Sequence, residues 1–242
     1  RLQRWAAGRM EKLVCVSQSV AAHCHWIEKI PNDKLIVIPN GLEIPTITAE
    51  NNLCWSRLGL PIDARVLLFV GRLTEQKGVV EFMSRSVPDL LTRLPEHHLV
   101  LMGDGQQSAQ LRAMAHSLPA ATRVHLVGWQ PKAIEWMRAA ELLVLPTRYE
   151  GMPNVVLEAM SVGKPVVSFA VDGVRELLGD TETSDAQCVE PLDWSALVDA
   201  MVALANDRDL QVRCGQANLA RVEQHFQLGE QLARYERLYQ SR

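Results

Sequence analysis

The stretch "ELLVLPTRYEGMPNVVLEAMSVGKPVV", residues 141–167, holds two short apolar runs with a turn and a helical segment between them. The runs, "ELLVLP" (141–146) and the start of "PVVSFA" (165–170), do not alternate polar with apolar residues. Such runs suit strands buried on both faces, as in a parallel sheet. Pro153 fits the first turn of a helix starting near residue 154, because its missing N–H is not needed there. Strand, helix and strand in this order form a right-handed crossover unit.

The same unit repeats on both sides. "RVLLFV" (65–70), "HHLVLM" (97–102) and "RVHLV" (123–127) precede it, and "AQCVEP" (186–191) follows as a sixth strand. Helical stretches separate them, after Lys77, from about residue 106, and briefly before residue 141. The expected fold is therefore α/β, with a doubly wound, parallel six-stranded sheet. Ahead of the series stand "KLVCVS" (12–17), a helical stretch to Pro31, and "KLIVIPNG" (34–41). Residues 42–64 read as a loop and short helix, with "PTITAENN" as a linker, and the tail from Trp194 is helical. The chain opens on Arg1, inside the helical-looking "RLQRWAAGRMEK", so it is expected to be a piece of something longer.

Composition narrows the function classes. The 242 residues are 48% hydrophobic, an ordinary globular value. A net charge of -3, with no long run of one sign, gives no support to a nucleic-acid partner. Five cysteines are scattered without a C-x-x-C pair, which suits reduced thiols in a cytoplasmic protein. Neighbouring residues of "HCH" (23–25) on a helix point in different directions, so no metal site is expected there. No apolar run approaches the roughly 18 residues of a membrane span, and no signal peptide is visible.

In a doubly wound sheet ligands bind outside the carboxyl ends of the strands. The residues that follow the strands are Gly71-Arg72, Gly103-Asp104-Gly105, Gly128-Trp129 and Thr147 to Asn154, which includes Gly151. Glycines there let backbone approach a ligand, although glycine also punctuates ordinary turns. The amides of Asn154, Val155 and Val156 at the helix start are expected to be free and to form an anion site. Arg72 and Lys77 reach the same edge, and two cations beside a helix N-terminus suit a diphosphate; as isolated residues, both also read as solvated charges. Glu150 and Glu158 do not bind phosphate. They suit hydroxyls at the two ends of a ligand whose diphosphate lies between them, or else a cap, a salt-bridge partner and an ordinary helix residue.

Taken together, these residues resemble the C-terminal half of a family 4 (group 1) GT-B retaining glycosyltransferase. Glu150 to Glu158 match the family's E-x7-E motif, in a frame of P-T/S, Glu-Gly-hydrophobic-Pro-Asn (here with Met152), Glu-Ala-Met and G-K-P-V-V. "VGRLTEQKG", "PNGLE", "LVLMGDGQ", "VHLVGW" and "VSQSV" match further motifs in order, so the resemblance spans nearly the whole chain. It implies a Rossmann-like donor domain over residues 31–225. Residues 1–30 would be the end of a mostly missing N-terminal acceptor domain, and 226–242 a helix crossing back to it.

The resemblance also implies roles. A hexosyl group would pass from a UDP- or GDP-sugar to an acceptor hydroxyl, in polysaccharide or glycolipid biosynthesis. Arg72 and Lys77 would hold the diphosphate, with Gly71 beside them, and Glu150 would bond the sugar. Gly151, Met152 and the amides of Asn154 and Val155 would line the donor, and Glu158 would take the ribose hydroxyls. Gly128 and Trp129 would frame the base. No metal or other cofactor is expected, since protein cations replace one. Family members often sit at the inner face of a membrane, so a cytoplasmic protein with peripheral membrane contact is implied. The chain alone is expected to bind donor weakly and transfer nothing efficiently.

Two segments depart from the family pattern. Asp172 replaces the first glycine of GG-x-x-E, and "TETSDAQCVEP" lacks a glycine-rich turn; both are expected to lie away from the donor motifs. Three other readings remain at the level of residues. A dinucleotide-dependent dehydrogenase needs G-x-G-x-x-G and a later acid, but "GDGQQS" has two glycines and "VHLVGW" carries no acid. A nucleotide-sugar epimerase shares the donor edge. A non-catalytic nucleotide-binding module would keep the fold without transfer activity.

Overall fold

The computed structural model describes residues 10–46 and 55–240. The expected opening helix falls mostly outside them, and Met10 to Lys12 are not helical. Cys54 and most of the expected linker also lie outside the described residues.

Six strands form one parallel sheet: β3 (Arg65–Val70), β4 (His97–Met102), β5 (Val124–Gly128), β6 (Leu142–Leu145), β7 (Val166–Phe169) and β8 (Cys188–Val189). Their order is β5-β4-β3-β6-β7-β8, and every pairing is parallel. The chain starts in the middle at β3, winds outward to β5, returns to β6 and winds outward to β8. The winding reverses between β3 and β6, so the switch point of the sheet lies there. Val66 to Phe69 and Leu142 to Leu145 are buried, as unbroken apolar runs in central strands should be.

Helices cover both faces: α2 (Val79–Arg85), α3 (Val87–Arg93), α4 (Ser108–Ser117), α5 (Ala133–Ala139), α6 (Asn154–Ser161), α7 (Asp172–Leu178), α8 (Glu182–Asp185), α9 (Trp194–Asn206), α10 (Arg208–His225) and α11 (Leu228–Gln240). Two edge-to-face aromatic pairs sit in this core, Trp55 with Trp136 and Phe169 with Trp194.

Three elements differ from the sequence reading. The helix after Lys77 divides into α2 and α3 at Ser86, with Pro88 in the first turn of the second helix. The sixth strand shrinks to two residues because the Gln187 side chain, not backbone, accepts from the amide of Val166 at 2.8 Å. The helical tail is three helices. Asp207 stops α9 and caps α10, its Oδ1 accepting from the amide of Leu210 at 2.9 Å.

A second, two-stranded parallel sheet precedes the large one: β1 (Leu13–Cys15) and β2 (Leu35–Val37), joined through α1 (Gln18–Trp26). These two strands pair across residues 30 and 31, where the sequence reading separates two domains. The last helices return to the segment that follows β2. Leu42 donates to the Phe226 carbonyl at 3.0 Å, Leu228 donates to the Leu42 carbonyl at 3.1 Å, and Gln231 Oε1 accepts from the Gly41 amide at 3.1 Å.

Candidate functional site

The turns after the central strands are bound to one another by backbone. Gly71 donates to the Met102 carbonyl at 3.0 Å, Gly103 to the Gly128 carbonyl at 2.9 Å, and Leu73 to the Asp104 carbonyl at 2.9 Å. Across the switch point the approach is closer still. Gly78 has φ +65°, and a Cβ there would stand 2.2 Å from the Pro146 carbonyl oxygen. Only glycine fits that position, on both counts. Contact between these two loops is what carries Lys77 to Glu150.

Lys77 Nζ donates to Glu150 Oε1 at 2.5 Å, and their side chains are only 11% and 9% exposed. Thr147, fully buried, donates its hydroxyl to the same carboxylate oxygen at 2.8 Å. Gln76 ties the layer together. Its carbonyl accepts from the Arg148 amide at 2.9 Å and lies 3.2 Å from the Thr147 hydroxyl. Its side chain donates to the Tyr149 carbonyl at 3.0 Å and accepts from Arg72 Nη2 at 3.3 Å. Arg72 itself is exposed, and Gly71 lies against the Lys77 stem.

The helix α6 starts at Asn154 after Pro153, with no side-chain cap. Among the described residues no acceptor takes the amides of Asn154 and Val155. Val156 is not free, contrary to the sequence reading: its amide donates to the Pro153 carbonyl at 3.0 Å, because the first turn of this helix is tight. Asn40, from the "PNGLE" turn, reaches this helix start. Its side chain donates to Asn154 Oδ1 at 2.7 Å, and its amide meets Met152 Sδ at 3.3 Å.

Glu158 lies one turn further along α6, half-buried. Among the described residues no hydrogen bond or ion pair engages its carboxylate, and burial raises its pKa above the ordinary 4.5. Gly128 faces open space, and Trp129 beside it is 73% exposed. The predicted residues thus share one edge, but in three groups: Lys77 with Glu150 and Gly71; Met152 with Asn154 at the helix start; and Trp129 out at the end of β5.

Sequence reasoning missed several contributors. Thr147 and Gln76 lie within the motifs that carry Glu150 and Lys77, and the Thr147 hydroxyl three residues before Glu150 is the available signal. Asn40 is 114 residues from Asn154 and gave no local sign. One expectation is corrected: the Asp172 segment does not lie away from the donor motifs. A Cβ on Gly173 would come within 2.6 Å of the Gly151 carbonyl oxygen and 2.7 Å of the Glu150 carbonyl oxygen, so the start of α7 packs under the Glu150 loop.

Among the described residues no group of three or more His, Cys, Asp or Glu is placed to hold a metal ion. No helix among them is long and apolar enough to cross a membrane. The four described cysteines are free thiols.

Known proteins resemble this chain. The family described as "Glycosyl transferases group 1" matches residues 64–207. A D-inositol 3-phosphate glycosyltransferase from Xylanimonas cellulosilytica is 31% identical over 190 residues, covering 71% of this chain and 43% of that protein. The Escherichia coli protein named UDP-Gal:alpha-D-GlcNAc-diphosphoundecaprenol alpha-1,3-galactosyltransferase is 28% identical over 217 residues, covering 87% of this chain and 55% of its own length. The chain spans about half the length of the curated relatives it matches. Among solved structures, Anabaena Alr3699/HepE in complex with UDP-glucose superimposes with a TM-score of 0.87 at 20% identity, over 100% of this chain and 67% of that one. That likeness establishes a shared fold.

Proposed function

Because the chain belongs to the group 1 glycosyl transferase family, we propose that it is the donor-binding half of a retaining glycosyltransferase, one that moves a hexosyl group from a nucleotide-diphosphate sugar to an acceptor hydroxyl. The observation that carries this reading is the buried Lys77–Glu150 pair, on the loop that leads into the unengaged amides of Asn154 and Val155. A diphosphate fits between Lys77, Arg72 and those amides. Glu150, already ordered by Lys77 and Thr147, accepts from hydroxyls of the sugar. Glu158 accepts from the ribose, and Trp129 stacks on the base.

When the bond from the anomeric carbon to the phosphate oxygen breaks, its electron pair goes to the departing nucleoside diphosphate. Arg72, Lys77 and the helix amides stabilise that growing charge most in the transition state. The acceptor hydroxyl forms the new bond to the anomeric carbon and gives its proton to the departing phosphate oxygen. These cations take the place of a metal ion, so the reading includes no metal requirement. Retention is proposed on the strength of the family. UDP is the first choice of base, since the Anabaena structure holds UDP-glucose and the E. coli relative is named for UDP-Gal; GDP is the other. The domain division at residues 30 and 225, a missing acceptor domain and a cytoplasmic site at the inner membrane face belong to the same proposal.

Saturation-transfer NMR with UDP-glucose, GDP-mannose and NAD tests it. The reading expects saturation of both ribose and hexose protons of one sugar nucleotide and none of NAD. Saturation of NAD alone contradicts it.

A further inference from the structure

Resting on that donor reading, we infer that Glu176 is a positioning residue, which clamps α1 against the loop carrying Glu150 and so sets the grip on the donor sugar. The start of α1 leaves amides without helical partners. Val20 finds the Ser17 hydroxyl at 3.2 Å. The Gln18 amide finds Glu176, at 2.9 Å to both carboxylate oxygens, and Ser19 reaches the same carboxylate at 3.5 Å. A carboxylate at a helix N-terminus is favoured by the free N–H groups and by the helix dipole. This one comes from 158 residues away.

Glu176 sits on α7, the helix whose Gly173 supports the Glu150 and Gly151 carbonyls. The segment that Glu176 holds packs against the same loop. A Cβ on Gly151 would stand 3.2 Å from a Val20 methyl and 3.6 Å from a Val16 methyl. The Glu150 loop is therefore packed against both Gly173 and the segment carrying Val16 and Val20, and α7 provides the first contact and, through Glu176, holds the second. Arg221 braces this helix, donating to the Glu176 and Leu177 carbonyls. Release of α1 frees the loop on one side. The Glu150 backbone then shifts, and the carboxylate that Lys77 and Thr147 orient is displaced from the sugar, while Arg72 and the amides of α6 still meet the nucleotide.

The test compares wild type, Glu176→Ala and Glu176→Gln, the last keeping one oxygen acceptor. Amide exchange at Gln18 is followed by NMR with the core amide of Leu68 as an internal standard. UDP and UDP-glucose, and GDP and GDP-mannose, are titrated in parallel. In Glu176→Ala, exchange at Gln18 speeds up by about tenfold with Leu68 unchanged, on the scale of a lost charged cap. The sugar nucleotide then loses several-fold more affinity than the free nucleotide, and Glu176→Gln recovers part of both effects. Equal losses for nucleotide and sugar nucleotide, or no change in either readout, overturn the inference while leaving the donor reading intact. Absence of any nucleotide binding in the wild type overturns the donor reading, and the inference with it.

Discussion

The two edges of the large sheet use the same residue types in opposite ways. At the amino edge Glu141 is engaged on both oxygens, by Arg65 Nε at 2.7 Å and by His97 Nε2 at 2.9 Å. Arg65 also donates to the Ala205 carbonyl, and Arg123 donates to the carbonyls of Leu91, Leu94 and His97. His97 Nδ1 is the atom left over there. At the carboxyl edge Arg72 holds a single side-chain amide, Glu158 holds nothing among the described residues, and two helix amides are unengaged. Charges that satisfy one another fix structure. The half-buried Glu158 carries a desolvation cost that a hydrogen-bonding ligand can offset, and the exposed Arg72 is free to turn to one. The difference sets the carboxyl edge apart as the one with charge and helix amides left open, and it does so without reference to any relative.

Lys77 stands between the two cases, so its loss should have the largest effect. Lys77→Ala leaves a nearly buried Glu150 carboxylate without its cation, expected to cost about 3 kcal/mol of stability and to abolish measurable donor binding. Denaturant melts and nucleotide titration of the same sample read both. Glu141→Ala is next, at about 2 kcal/mol, reduced because the Arg65 side chain is 40% exposed and solvent screens it. Its nucleotide affinity should equal that of the wild type, which separates the amino edge from the site. Arg72→Ala should do the reverse: stability within about 0.5 kcal/mol of wild type, and nucleotide affinity down by about ten- to a hundredfold. If Arg72→Ala lowered stability as Glu141→Ala does, the contrast between the edges would collapse.

The smallest effect is a pH dependence. Burial alone raises the Glu158 pKa above 4.5, so the folded protein holds this proton more tightly than the unfolded chain. Its contribution to stability is therefore greatest below pH 4.5 and declines as pH rises through the raised value. Hydroxyls donate to the ionised form, so nucleotide binding should release the proton. Affinity should then rise with pH across that window and level off above it. Glu158→Gln should flatten both slopes; a slope that survives the substitution belongs to another group.

How much of this could be read from sequence follows from how local each feature is. The six strands were legible because unbroken apolar runs such as Val66 to Phe69 need burial on both faces. The glycines after them mark the carboxyl edge for a similarly local reason. The pairing of Lys77 with Glu150 was not legible, because it depends on Gly78 meeting Pro146 across the switch point. Asn40 against Asn154, and Glu176 against Gln18, are long-range contacts between segments that each look ordinary alone. Val156 was misread because a proline-led helix start tightened its first turn, and β8 because a glutamine side chain took over a strand hydrogen bond.

The central claim is that the open edge holds a nucleotide diphosphate between Arg72 and the start of α6, with Glu158 on the ribose. Calorimetric titration with UDP, GDP, ADP and NAD tests it most directly, on the wild type and on Arg72→Ala, Glu158→Ala and Glu141→Ala. The account predicts that UDP or GDP binds, that binding weakens in the first two variants, and that Glu141→Ala leaves it unchanged. Binding that is equal in the wild type, Arg72→Ala and Glu158→Ala, or that favours NAD, would contradict the account.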